Sequence, residues 1–202
     1  MFRKLLRNAG KPQGFWGRLM MRGMNKEHAW LSRWGLRQIS LAEDAAVLDI
    51  GCGGGANLAR LLAACPRGQV TGIDHSEVAV QLSRKRNASE LGRRCEVVQG
   101  SVVDLPFEDA RFDAVTAVET VYFWPDLPRA FAEVYRVLRS PGCFLIINEV
   151  DGRESIQWAD LVDGMTTYSP QQLTDLLTAA GFQQVETHRC MKHTFCLVAH
   201  KP

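Results

Sequence analysis

Three observations predict an α/β fold for this 202-residue chain, a doubly wound and mostly parallel sheet with helices on both faces. From residue 45 onward, short apolar runs alternate with segments of helical periodicity, and such alternation implies right-handed crossovers between parallel strands. A glycine-rich turn, Gly51-Cys52-Gly53-Gly54-Gly55, directly follows the first apolar run. The last two apolar runs, Phe182 to Arg189 and Thr194 to His200, lie close enough to form a hairpin.

Taken in order, strands are expected near 46–50, 70–74, 95–99, 112–118 and 143–149, with helices near 55–65, 76–91 and 127–138. The hairpin brings the sheet to seven strands. Ahead of the first strand, Trp16, Met20, Met24 and His28 share one helical face, flanked by Phe15, Leu19, Ala29, Leu31 and Trp34. This predicts two helices between Gly14 and Leu36, broken near Gly23. Near the other end, Ser169 caps a helix whose first residue is Pro170 and which Gly181 stops. The chain divides into a basic, Met- and Trp-rich helical lid or arm at 1–40 and a nucleotide-type domain at 41–202.

At 46% apolar and 23% charged, the chain suffices for one well-cored domain and not for two. No apolar run reaches a membrane span, and Met1 to Arg7 begins like a signal peptide without developing its apolar core, so a cytoplasmic protein is expected. Six cysteines at 52, 65, 95, 143, 190 and 196 lack metal-ligand or redox spacing and read as free thiols, with no metal site. Net charge is +2, yet residues 1–40 carry nine Lys or Arg against Glu27, which is +8 and leaves −6 for the rest. Such an arm suits an acidic substrate, a membrane surface or nucleic acid, or forms a solvated helix face.

The most specific stretch is Val47-Leu48-Asp49-Ile50-Gly51-Cys52-Gly53-Gly54-Gly55-Ala56, which puts a carboxylate at the end of a strand before a tight turn. The glycines alone also fit a dinucleotide fingerprint through Gly51, Gly53 and Ala56. Val70-Thr71-Gly72-Ile73-Asp74 ends in an acid where a doubly wound sheet binds ribose hydroxyls. A dinucleotide would bring its pyrophosphate close to Asp49, whereas a sulfonium with an α-amino group would favour that carboxylate. Here the chain resembles the class I S-adenosylmethionine-dependent methyltransferases of the small-molecule, methyltransferase type 11-like branch. Further segments that resemble that family are Leu105 to Asp109 with Arg111 to Val115, Phe131 to Leu138, and the Pro141-Gly142 turn into Phe144 to Ile147. The likeness covers roughly residues 40 to 200.

The resemblance implies a Rossmann-like domain that binds S-adenosyl-L-methionine and releases S-adenosyl-L-homocysteine. It places Asp49 and the Gly51, Cys52, Gly53 and Gly55 turn at the methionyl end, Asp74 and His75 at the ribose, and Ser101 and Val102 beside adenine. Ser101 departs from the family's usual aspartate there, and its hydroxyl still accepts a hydrogen bond. Glu119 and Thr120, just after the fourth strand, are carried over as neighbours of the methionyl group and the acceptor. Tyr122, in the aromatic run Tyr122-Phe123-Trp124, is expected to touch substrate, and Glu149 is a further candidate base. An acceptor gives its proton to His28, Glu119, Glu149 or Tyr122, or arrives already deprotonated and needs no base, and His28 is the best candidate because it shares the lid face with Met20 and Met24. His188, His193 and His200 read as surface residues. The acceptor is expected to be a small molecule rather than nucleic acid, on a monomer or homodimer without membrane insertion. Two alternatives stand beside this reading: a non-catalytic binder of the same cofactor, and an NAD-dependent oxidoreductase.

Overall fold

The computed structural model describes residues 29–152 and 164–202. Residues 1–28, with Trp16, Met20, Met24 and His28, and the 153–163 segment with Trp158 lie outside the described residues. The described elements run α1 (Ala29–Leu36), β1 (Ala46–Ile50), α2 (Ala56–Ala64), β2 (Gln69–Asp74), α3 (Glu77–Arg86), β3 (Cys95–Gln99), β4 (Phe112–Val118), a 3₁₀ turn (Val121–Phe123), α4 (Leu127–Val137), β5 (Leu138–Asn148), α5 (Pro170–Ala179), β6 (Gln183–Arg189) and β7 (Phe195–Lys201). The seven strands form one sheet in the order β3-β2-β1-β4-β5-β7-β6. All neighbours are parallel except β7, which runs antiparallel between β5 and β6.

Strand alternation divides the core into two layers. On β1, Val47 packs with Leu58 and Leu61 of α2 and Val80 of α3, while Leu48 and Ile50 face the opposite cluster built on Leu127, Phe131 and Val134 of α4. Asp49 therefore points to the α2 side. α4 supplies its face from apolar residues at 127, 130, 131, 134 and 137, and it is capped by Asp126, whose carboxylate accepts from the Arg129 amide at 3.1 Å. Arg136 on its opposite side donates to Glu133, to Asp109 and to the carbonyls of Leu105 and Phe107, which fixes the β3–β4 connection.

The expected strands and helices are present with shifted ends. α3 stops at Arg86 rather than near 91 because the Asn87 side chain bonds back to the Ser83 carbonyl and across to that of Gly55. β5 begins at Leu138, where the sequence predicts the end of a helix, since Leu138 already pairs with Phe112. Ser169 caps α5 as predicted, with Gln172 completing a reciprocal capping box. α1, at the end of the 1–40 segment, packs on the sheet. Leu31 is fully buried, and a Cβ at Gly35 would collide with Ile147 of β5. Among the described residues no helix is long and apolar enough to cross a membrane. Cys52, Cys65, Cys95 and Cys196 are buried free thiols, and Cys190 is exposed.

Candidate active site

The carboxyl ends of β1, β2 and β4 open onto a cavity of about 240 Å³. It is where open α/β sheets bind ligands, at the point where strand order reverses on either side of β1. Gly51, Asp74, His75, Ser101, Val102 and Thr120, all singled out from sequence, line it, together with Phe123, Trp124 and Pro125.

The glycine turn serves two purposes. Gly51 has φ +72°, and a Cβ there would collide with the Thr120 side chain, so its absence lets the β1 and β4 loops close on one another. Gly53 also takes a positive φ, +52°, but opens onto space, and its amide donates to Asp74 Oδ2 at 2.9 Å. The other Asp74 oxygen accepts from the Ser76 amide at 2.9 Å, and His75 Nδ1 stands 3.6 Å from it. Two backbone donors thus hold this carboxylate at the cavity wall. Gly55 lies against Ser83 and Asn87 of α3, which is a packing position.

Of the expected cofactor residues, Asp49, Cys52, Gly53, Gly55 and Glu119 do not line this cavity. The Cys52 side chain turns towards Ser83, 3.8 Å away, and burial beside Asp49 pushes its thiol well up from its ordinary value. Only its backbone stays in the turn, with the amide donating to Ile73 at 3.1 Å. Asp49 is 2% exposed. Its Oδ1 accepts from Thr116 Oγ1 at 2.6 Å and from Asn57 Nδ2 at 2.8 Å. Burial pushes this carboxyl up to about 6, against the opposing effect of those two donors.

Beside the cavity, the β4 and β5 ends carry a second group. Glu119 takes φ +57°, which is costly for a non-glycine residue. That turn sends its carboxyl over the end of β5, where Oε1 accepts from the Glu149 amide at 2.6 Å and from the Tyr122 hydroxyl at 3.2 Å. Burial first, and the nearby Glu149 carboxylate second, push Glu119 up to about 8. Tyr122 lies behind the cavity wall. Its ring is 2% exposed and does not line the cavity, while its hydroxyl donates to Glu119 and accepts from the Val150 amide at 3.0 Å. Phe123 and Trp124 form the aromatic wall instead, and Trp124 stacks on Phe144 with centroids 6.3 Å apart. The dense aromatic run signals a wall, but only the 3₁₀ turn decides which ring faces it.

His193 is corrected. It is partly buried, with Nδ1 3.0 Å from Asp151, whose other oxygen receives Arg189 at 3.2 Å. The β6–β7 turn is thereby tied to the chain leaving β5. Sequence reasoning missed Asn57 and Thr116, because nothing local to either signals a bond to Asp49.

A family model described as a methyltransferase domain matches residues 48–146. The chain is 38% identical over 155 residues to 24-methylenesterol C-methyltransferase 2 of Arabidopsis thaliana, covering 69% of this chain and 42% of that protein. It is 32% identical over 161 residues to the O-methyltransferase cnsE of Penicillium expansum, covering 74% and 56%. The chain thus spans about half the length of these relatives. The fold superposes on a SAM-dependent methyltransferase from Aquifex aeolicus with a TM-score of 0.75 at 21% identity, covering 89% of this chain and 96% of that one. With the glycine turn, the Asp74 carboxylate at the cavity wall and the terminal hairpin on one sheet, the chain belongs to the class I S-adenosylmethionine-dependent methyltransferases.

Proposed function

We propose that this chain transfers a methyl group from S-adenosylmethionine to a small-molecule acceptor. The observation that carries the reading is the convergence of Gly51, Asp74, His75, Ser101 and Val102 on one cavity at the carboxyl edge of the sheet. The residues fit the nucleoside half. Asp74 is held by two amides facing the ribose position, and Ser101 and Val102 stand with Phe123 and Trp124 around a flat, largely apolar space for adenine. Asp49 fits the methionyl ammonium, because Oδ1 takes both internal hydrogen bonds and Oδ2 is left for a cation.

The cofactor supplies an activated methyl group on a cationic sulfur. The chain's own work is to fix donor and acceptor in line and keep water away. Glu119 is the proposed base. Its carboxylate, the minor form at neutral pH and the major one above about pH 8, takes the proton that an acceptor hydroxyl or amine loses. The Glu149 amide and Tyr122 hydroxyl keep it in place, so Tyr122 positions the base and is not itself a substrate contact. His28 remains in the proposal only as a lid residue of the 1–40 segment. The two relatives are named for a carbon and an oxygen acceptor, so the small apolar acceptor is proposed here without its accepting atom.

Calorimetric titration with S-adenosylhomocysteine, with NADH as control, tests the cofactor. Micromolar binding of the former alone is expected, and binding of NADH instead would overturn the reading. Release of labelled methyl into a small-molecule extract then separates an enzyme from a non-catalytic binder. Glu119→Gln should lower that turnover about a hundredfold with homocysteine-form affinity little changed.

A further inference from the structure

A buried polar chain runs from α1 to the cofactor turn. Ser32, 2% exposed on α1, donates through Oγ to Asn57 Oδ1 at 2.5 Å. With its oxygen engaged, Asn57 in the first turn of α2 presents its amide nitrogen to Asp49 Oδ1 at 2.8 Å, with Thr116 Oγ1 3.4 Å from the same nitrogen. Thr116 itself donates to the same carboxylate oxygen from β4 at 2.6 Å. A buried carboxylate with donors on one oxygen only is both fixed in rotation and left with its second oxygen for a ligand.

We infer that Asn57, held by Ser32 and paralleled by Thr116, is a positioning residue that keeps Asp49 ionised and aimed at the methionyl ammonium. The inference rests on the cofactor reading above and adds to it two side chains outside the glycine turn, one of them held by a helix that precedes the cofactor-binding domain. An asparagine amide can present either its oxygen or its nitrogen, and the wrong face would set oxygen against oxygen. The Ser32 hydroxyl engages the amide oxygen, so the nitrogen faces Asp49.

The charged surroundings of Asp49 make the consequence readable by pH. Burial and the Asp74 carboxylate from β2 oppose its ionisation; Asn57, Thr116 and the Arg60 guanidinium of α2 favour it, and the adjacent Cys52 thiol stays neutral. Ionised Asp49 attracts the ammonium, so affinity for the homocysteine form falls as pH drops through about 6. Removing one donor moves that midpoint upward.

The experiment is calorimetry with S-adenosylhomocysteine from pH 5 to 8.5 on wild type, Asn57→Ala and Thr116→Val, with thermal unfolding of each. Both variants should show the midpoint raised by roughly half to one unit, which is about three- to tenfold weaker binding near pH 5, converging on wild type at pH 8.5. Thr116→Val, nearly isosteric, keeps the test valid if Asn57→Ala unfolds. Wild-type binding with an unmoved midpoint in the folded variants, or a loss equal at every pH, overturns the inference. Absence of binding by wild type at every pH instead defeats the cofactor reading itself.

Discussion

The two halves of the carboxyl edge are built by opposite means. Around β1, β2 and β3 the site is made largely of backbone: Gly51 and Gly53 turn the chain, and amides of Gly53 and Ser76 fix the Asp74 carboxylate at the cavity wall. Around β4 and β5 it is made mainly of titratable side chains, with Glu119 held by the Tyr122 hydroxyl and the Glu149 amide in one group and Asp151, Arg189 and His193 in the next. A backbone-built half tolerates little geometric change, and its response to pH is confined to Asp49, below about pH 6. A side-chain-built half absorbs substitution more easily and changes with protonation.

The sharpest way to break the first half is Gly51→Ala. A positive φ costs an alanine about 1–2 kcal/mol, and the collision with Thr120 adds about as much again. Expected is a loss of about 3 kcal/mol, seen as a melting point roughly 10 °C lower, and an unchanged melting point would show that the two loops do not close as described. Next comes Asp74→Ala, which removes the proposed ribose partner and strands the Gly53 and Ser76 amides. Roughly hundredfold weaker S-adenosylhomocysteine binding is expected by calorimetry, the worth of about two charge-assisted hydrogen bonds. A loss under about threefold would move the ribose elsewhere.

This contrast also explains what was legible in the sequence. Asp49, the glycines and Asp74 announce themselves because strand, turn and helix follow one another within a few residues, and the alternation of apolar runs gave the sheet and its hairpin. The Asp49 partners did not, because Asn57 lies eight residues on and Thr116 sixty-seven away, brought together only by the pairing of β4 with β1. The placement of Tyr122 was not legible for a related reason. Its aromatic run is visible, but the reversed φ of Glu119 and the 3₁₀ turn after it set Phe123 and Trp124 on the cavity and Tyr122 beneath it. His193 reads as a surface residue until the hairpin folds back onto Asp151.

In the second half, Asp151→Asn should cost about 2 kcal/mol, because it weakens the link to both His193 and Arg189 around a nearly inaccessible carboxylate. Denaturant unfolding measures this. Calorimetry should find cofactor affinity within about twofold of wild type, since Asp151 lies in the half away from the ribose, and a large loss would mean that the two halves are coupled.

The smallest expected effect discriminates the halves most cleanly. Glu119 is pushed from 4.5 to about 8, so between those values the folded chain holds a proton that the unfolded chain has released. Its contribution is therefore complete below about pH 4.5 and is lost as pH rises to about 8. Asp49 contributes a slope of the same sign, but only between 3.8 and about 6. Melting curves from pH 6 to 8.5 isolate the Glu119 contribution. Glu119→Gln, which keeps an oxygen for the Glu149 amide and Tyr122 hydroxyl, removes the slope in that window. Because the carboxyl is only half buried, the gain at pH 8.5 is about 1 kcal/mol, or a few degrees, vanishing towards pH 5. A parallel pair of curves would mean that Glu119 is ionised throughout, and the β4–β5 half would then lack the proton-holding group that separates it from the glycine-built half.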